Sequence, residues 1–130
     1  MAEIKSFTSL EQSRKLAELL PIESADMFYT LIDQGLYLEV KQGIEPSKDD
    51  IPCWSLAALL SVLPNNKHIT TTLSRGGWKI EPVEYIDKWF CEYEDEVDED
   101  IPCRGFTVSA DNPVDACVAM IEKLNELKML

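Results

Sequence analysis

The residues able to do chemistry in this chain are few: four cysteines, one histidine, a dense acidic run and an Arg-Gly-Gly step. Cys53, Cys91, Cys103 and Cys117 are candidate zinc ligands or disulfide partners. Spacings of 38, 12 and 14 residues contain no Cys-x-x-Cys, and no His-x-x-x-His occurs, so zinc has no local half-site. Reduced, mostly buried thiols are the expectation, most clearly for Cys117, which falls on a helical apolar stripe. The tripeptide Ile-Pro-Cys occurs at 51–53 and at 101–103, each time behind acidic residues. A helix-forming segment follows the first and a strand-like segment follows the second, which argues against an internal repeat. Shared punctuation after solvated loops is the better reading, with Pro holding the preceding Ile extended. A Cys53–Cys103 pair stays open as the alternative.

His68 stands beside Lys67 at a loop-to-strand junction. Nucleophilic catalysis needs a base oriented by a third group, and no order of Ser, Cys and Asp around His68 supplies one. It reads as a surface histidine. Arg75-Gly76-Gly77 lacks the Lys-Ser/Thr ending of a phosphate loop and does not lead from a strand into a helix, so it reads as a hairpin turn. The three tryptophans, Trp54, Trp78 and Trp89, border apolar segments and suit core or interface packing; a base-stacking platform would need a positive groove. The expectation is a non-enzyme with no cofactor and no metal.

The acidic run is "EYEDEVDED" from Glu92 to Asp100, where Glu92, Glu94, Asp95, Glu96, Asp98, Glu99 and Asp100 make seven of nine residues acidic. A calcium loop of the EF-hand kind needs Gly at its sixth position, and this run has none. Like charges at that density repel, so 92–100 is expected to be a solvated loop, with these seven residues as the candidate interaction surface. The whole chain carries a formal charge of −12, and without the run 12 cations face 17 acids, a net of −5. Phosphate contacts require a basic patch, so direct nucleic-acid binding is excluded on charge.

At 130 residues, 45% hydrophobic and 28% charged, the composition is that of one soluble globular domain spanning 1–130. The longest apolar stretch, Trp54–Leu63, is about half of what a membrane span needs, and "MAEIKSFTSLEQ" lacks the apolar segment of a secretory signal. A cytoplasmic protein without membrane contact is the expectation.

The elements that position these groups can be read from periodicity. "TSLE" offers a capping box of Thr8 and Glu11 for a first helix, with Leu10, Leu16, Ala17 and Leu20 on one face and Pro21 as its stop. "MFYTLIDQGLYLEVK" reads as a hairpin turning at Gln34-Gly35, with Leu36, Leu38 and Val40 on one side. "CWSLAALLSVLP" reads as a short helix capped by Ser55 and apolar almost all round, hence buried on several sides. Strands follow around Ile69–Leu73, Trp78–Ile80 with "YIDKWFCEY", and Phe106–Val108. The last helix has Asn112 as cap, Pro113 in its first turn, and a stripe of Val114, Cys117, Val118, Ile121 and Leu124, extended by Leu127. The order α-ββ-α-βββ-α predicts an α+β fold with a mainly antiparallel sheet of about five strands and three helices.

Three segments, "EQSRKLAELLPIESADM", "IPCWSLAALLSVLP" and "DACVAMIEKLNELKML", resemble an uncharacterised family of short proteins encoded by phages and mobile elements of gut bacteria. The resemblance spans nearly the whole chain, the middle from Asn65 to Gly105 being the variable part. The second half resembles the phage α-β-α (ABA) sandwich domain through Ser55–Leu63, Trp78 and "ADNPVDACVAMI". This resemblance implies helices on both faces of the sheet and a viral or prophage origin; it carries no activity and no site residues.

Two functions therefore follow as expectations. The first is a phage or mobile-element accessory protein in the cytoplasm of its bacterial host, non-catalytic, working through a protein partner or as a homo-oligomer. The alternative is an acidic mimic of nucleic acid that inhibits a host DNA- or RNA-binding protein, which requires the charges to sit on a rigid face.

Overall fold

The computed structural model describes residues 5–32, 35–40, 47–66, 68–95 and 104–130. Along them run α1 (Leu10–Leu19), a short 3-10 turn (Ile22–Ser24), β1 (Met27–Ile32), β2 (Gly35–Val40), β3 (Ile51–Cys53), α2 (Leu56–Val62), β4 (Ile69–Lys79), β5 (Glu84–Asp95), β6 (Arg104–Ala110) and α3 (Pro113–Glu126). The chain is α+β. Its described residues gather into two compact units, Lys5–Val62 and Leu63–Leu130.

In the unit Lys5–Val62, α1 begins with a reciprocal capping box one residue later than the sequence suggests. The Ser9 hydroxyl accepts from the Gln12 N–H at 3.2 Å, and the Gln12 side chain accepts from the Ser9 N–H at 3.0 Å. Thr8 is not the cap because it is fully buried and engaged elsewhere: its Oγ1 lies 2.7 Å from Ser13 Oγ and accepts from the Trp54 N–H at 3.1 Å. Leu16 and Leu20 are buried on the inner face of α1, while Arg14, Lys15 and Glu18 are exposed, as an amphipathic stripe requires.

β1 and β2 form the expected antiparallel hairpin, from Met27↔Val40 to Ile32↔Gly35, but Gly35 opens β2 instead of sitting in the turn, and Gln34 lies outside the described residues. The first Ile-Pro-Cys is not a loop leading into a helix. It is β3, an edge strand on the other side of β1, with Met27↔Cys53, Phe28↔Pro52 and Tyr29↔Ile51 in register. Proline is tolerated there because an edge strand has a side on which no N–H is needed. The second Ile-Pro-Cys lies outside the described residues. α2 follows β3 with Ser55 as its cap: Ser55 Oγ accepts from the Ala58 N–H at 3.2 Å, and Asp26 bonds both the N–H and the hydroxyl of Ser55. Ala58 and Leu59 are buried, but Ala57 and Leu60 are exposed, so α2 buries one side rather than several.

In the unit Leu63–Leu130, the sheet order is β4-β5-β6, antiparallel throughout. The single sheet of about five strands is thus replaced by two three-stranded sheets with six strands among the described residues. The extra strand is β3, whose proline and shortness hide it from periodicity. α3 starts at Pro113 with Asn112 Oδ1 accepting from the Asp115 N–H at 2.8 Å. Val114, Cys117, Val118, Ile121 and Leu124 are buried as the stripe predicts; Leu127 is 44% exposed, one residue past the helix end. One side of the sheet supplies Cys91 and Tyr93 to the core beside α3. Thr70, Thr72, Glu92, Glu94, Thr107 and Ser109, which alternate with the inward residues, are exposed. In this unit the expected helix on both faces is therefore absent among the described residues: polar side chains leave the second face open to solvent.

Candidate interaction surface

The long β4–β5 hairpin organises the candidate surface. From Ile69↔Asp95 to Arg75↔Trp89 its strands pair in one register, and from Gly77↔Ile86 to Lys79↔Glu84 in another, shifted by one residue. Gly76 stands at the shift with φ of 80°, in the left-handed region that side chains disfavour. A Cβ built there would fall 1.7 Å from Tyr85 Oη, so the closeness of the tyrosine also demands glycine. Arg75-Gly76-Gly77 is therefore a bulge within a strand and not the hairpin turn. The chain reverses further on, at Ile80–Val83. A Gly-Gly step meets both needs equally well, which is why the sequence misplaces the turn.

Past the bulge, the hairpin leaves the core. Trp78 is 71% exposed, Ile80 82%, Val83 77% and Tyr85 51%. Trp78 and Tyr85 are cross-strand partners whose rings meet edge to face, 5.3 Å between centroids. Four large apolar side chains thus cluster at one exposed end of a protein whose sequence carries a charge of −12. Behind them, Arg75 Nε and Asp87 Oδ1 pair at 3.3 Å with both side chains over 60% exposed, an ion pair of little energetic weight.

The opposite end of β5 bears the start of the acidic run. Glu92, Glu94 and Asp95 belong to the paired strand, not to a solvated loop. Alternation separates them: Glu92 and Glu94 are exposed, whereas Asp95 is buried and accepts a 2.9 Å bond from the Tyr93 hydroxyl. Tyr93 in turn stacks on Phe106 at 4.9 Å, which anchors the base of the hairpin. Glu96, Asp98, Glu99 and Asp100 lie outside the described residues. The structure thus keeps two of the seven sequence candidates as a surface pair and withdraws one, Asp95, into the interior.

The other chemical candidates are dispersed. His68 is exposed, and its backbone N–H donates to Asn66 Oδ1 at 2.8 Å in a turn. Cys53, Cys91 and Cys117 are free and fully buried; Cys103 is not among the described residues. The interaction of Cys91 with Cys117 lowers the Cys91 thiol pKa, and the same interaction together with burial raises that of Cys117. Cys53 sits beside Thr8 and Tyr29, and Tyr29 donates to the Thr8 carbonyl at 2.7 Å. Burial, and then the neighbouring Cys53, raises the Tyr29 pKa from 10.0 to about 12. Trp54 is fully buried with its Nε1–H on Ser24 Oγ at 2.9 Å, a core role; Trp78 is the tryptophan left to solvent. Among the described residues no three His, Cys, Asp or Glu groups are placed to hold a metal ion, and no helix is long and apolar enough to cross a membrane.

The hairpin end is not evident from alternation alone, which reads Trp78 and Ile80 simply as residues sharing one face of a strand. The signal that finds it is "IEPVEY": a proline between two aliphatic residues and next to charges marks a reversal, and residues at a reversal have no core to enter. Fold and surface together define a small α+β protein with a projecting, apolar-tipped hairpin. Comparison with protein-family models, curated proteins and solved structures gives no match.

Proposed function

We propose that this is a phage or mobile-element accessory protein that works in the cytoplasm of its bacterial host by protein–protein contact, without catalysis, and that the end of the β4–β5 hairpin is its contact element. The observation that carries this reading is the exposure of Trp78, Ile80, Val83 and Tyr85 together. Single exposed apolar residues are ordinary, but a contiguous group rimmed by charge marks an interaction site. Aromatic residues are also the side chains that most often dominate interface energetics.

The alternative, an acidic nucleic-acid mimic, gains one supporting observation. Glu92 and Glu94 project from a paired strand, which is the rigid presentation a mimic needs. Their neighbours on that sheet face, Thr70, Thr72, Thr107 and Ser109, are uncharged, so the two carboxylates make a short row beside a backbone that carries one charge per nucleotide.

Affinity purification from an infected or gene-carrying bacterium separates the readings. Contact through the hairpin end predicts that Ile80→Asp abolishes capture while the pair Glu92→Gln and Glu94→Gln retains it. Salt-sensitive capture lost only in the glutamine variant would replace the first reading by the second.

A further inference from the structure

We infer that the occupant of this hairpin end is the same end of a second copy of the chain, in a weak two-fold dimer. The inference rests on the contact reading above and adds the identity of the partner.

Charge placement selects a second copy. From Trp78 to Tyr85 the sequence "WKIEPVEY" holds one Lys and two Glu, a net of −1, whereas "EYEDEVDED" holds −7. Both segments involve β5, with Tyr85 near one end and Glu92 seven residues on. At ~3.3 Å per residue that separation is about 23 Å, nearly three Debye lengths at physiological salt. A partner recruited by the charge of this chain would be basic, and it would seat on the acidic end. The end that is apolar and close to neutral suits a surface of its own kind, and on each copy it lies well away from Glu92 and Glu94 along β5.

Symmetry adds a second reason. A two-fold contact sets one patch against itself, so the patch must be self-complementary. An apolar cluster meets that condition.

The size of the patch bears on the strength. Aromatic side chains offer ~150–250 Å² each. With the observed exposures, the four side chains present roughly 500 Å² per copy, or roughly 1,000 Å² in total, at the low end of specific interfaces. A contact of that size fits a weak, reversible association, although area alone does not fix its strength.

Sedimentation velocity of the full chain, from about 5 to 500 µM, tests this directly. A monomer–dimer shift is expected. It should strengthen from about 50 to 500 mM NaCl, because salt screens the repulsion between two chains of like charge and favours apolar contact. Ile80→Asp and Trp78→Ser should each weaken the dimer at least tenfold, with unchanged melting curves as the control on folding. Glu92→Gln with Glu94→Gln should leave it intact. A monomer at every concentration, a dimer indifferent to both tip substitutions, or one that weakens with salt would overturn the inference. If the chain is monomeric and Ile80→Asp still abolishes capture of a host protein, self-association fails and the contact reading stands. If neither is seen, both fail.

Discussion

Trp78 and Tyr85 oppose each other across β4 and β5 with their rings edge to face, centroids 5.3 Å apart, Trp78 largely exposed and Tyr85 half-exposed. An aromatic rung of this type stabilises its own hairpin by about 0.5–1 kcal/mol. It leaves the outer surface of Trp78 unused by the fold, and that unused surface is what the functional proposal rests on.

The Tyr85 hydroxyl also lies where any side chain at position 76 would begin. Gly76→Ala should therefore lower unfolding free energy by about 2 kcal/mol or more, combining an unfavourable positive φ with displacement of the Tyr85 ring. Urea denaturation measures the loss. An alanine variant as stable as wild type would contradict the described bulge.

Along α3, burial predicts sharply different responses from leucines three residues apart. Leu124 is fully buried and Leu127 is 44% exposed. Leu124→Ala should cost about 2–5 kcal/mol, and Leu127→Ala about 0.5 kcal/mol or less. Equal losses in chemical denaturation would place the end of the helix wrongly.

Tyr29 gives a pH signature. Its folded-state pKa, about 12, lies above the ordinary value of 10.0, so its contribution is complete below pH 10 and disappears as pH rises through 12. The unfolded chain ionises first and is favoured in that window. Tyr29→Phe also removes the bond to the Thr8 carbonyl, a loss of about 1 kcal/mol near neutral pH. The stability difference between wild type and Tyr29→Phe should shrink between pH 10 and 12. A constant difference across that window would refute the raised pKa.

Burial also governs the thiols. Cys53, Cys91 and Cys117 have no exposed surface, so a chromogenic disulfide reagent should reach them only when the chain opens. Three thiols should react slowly in native buffer and rapidly in denaturant. Prompt native reaction of all the thiols would show that these sites open easily.

Local signals carried the helices and much of the sheet into view. The stripe of α3, its Asn112 cap, the β1–β2 hairpin and the Ser55 cap were legible because each depends on neighbours in sequence. What stayed hidden depends on distant partners. Thr8 loses the cap to Ser9 because Ser13 and Trp54 claim its hydroxyl. Ile51–Cys53 becomes a strand only because β1 has a free edge to offer. Asp95 reads as one more surface acid until the Tyr93 hydroxyl binds it inside. The hairpin end was misread for the same reason: exposure depends on where a strand stops being covered, which alternation along the strand does not reveal.

Site-specific photo-cross-linking tests the central claim most directly. A benzophenone side chain placed at position 80, at position 92 or at position 111 samples the hairpin end, the acidic strand face and an exposed site ahead of α3. Contact through the hairpin end predicts discrete adducts from position 80, whether to a second copy or to a host protein, and none from 92 or 111. Adducts from 92 alone, or equal labelling from all three positions, would contradict it.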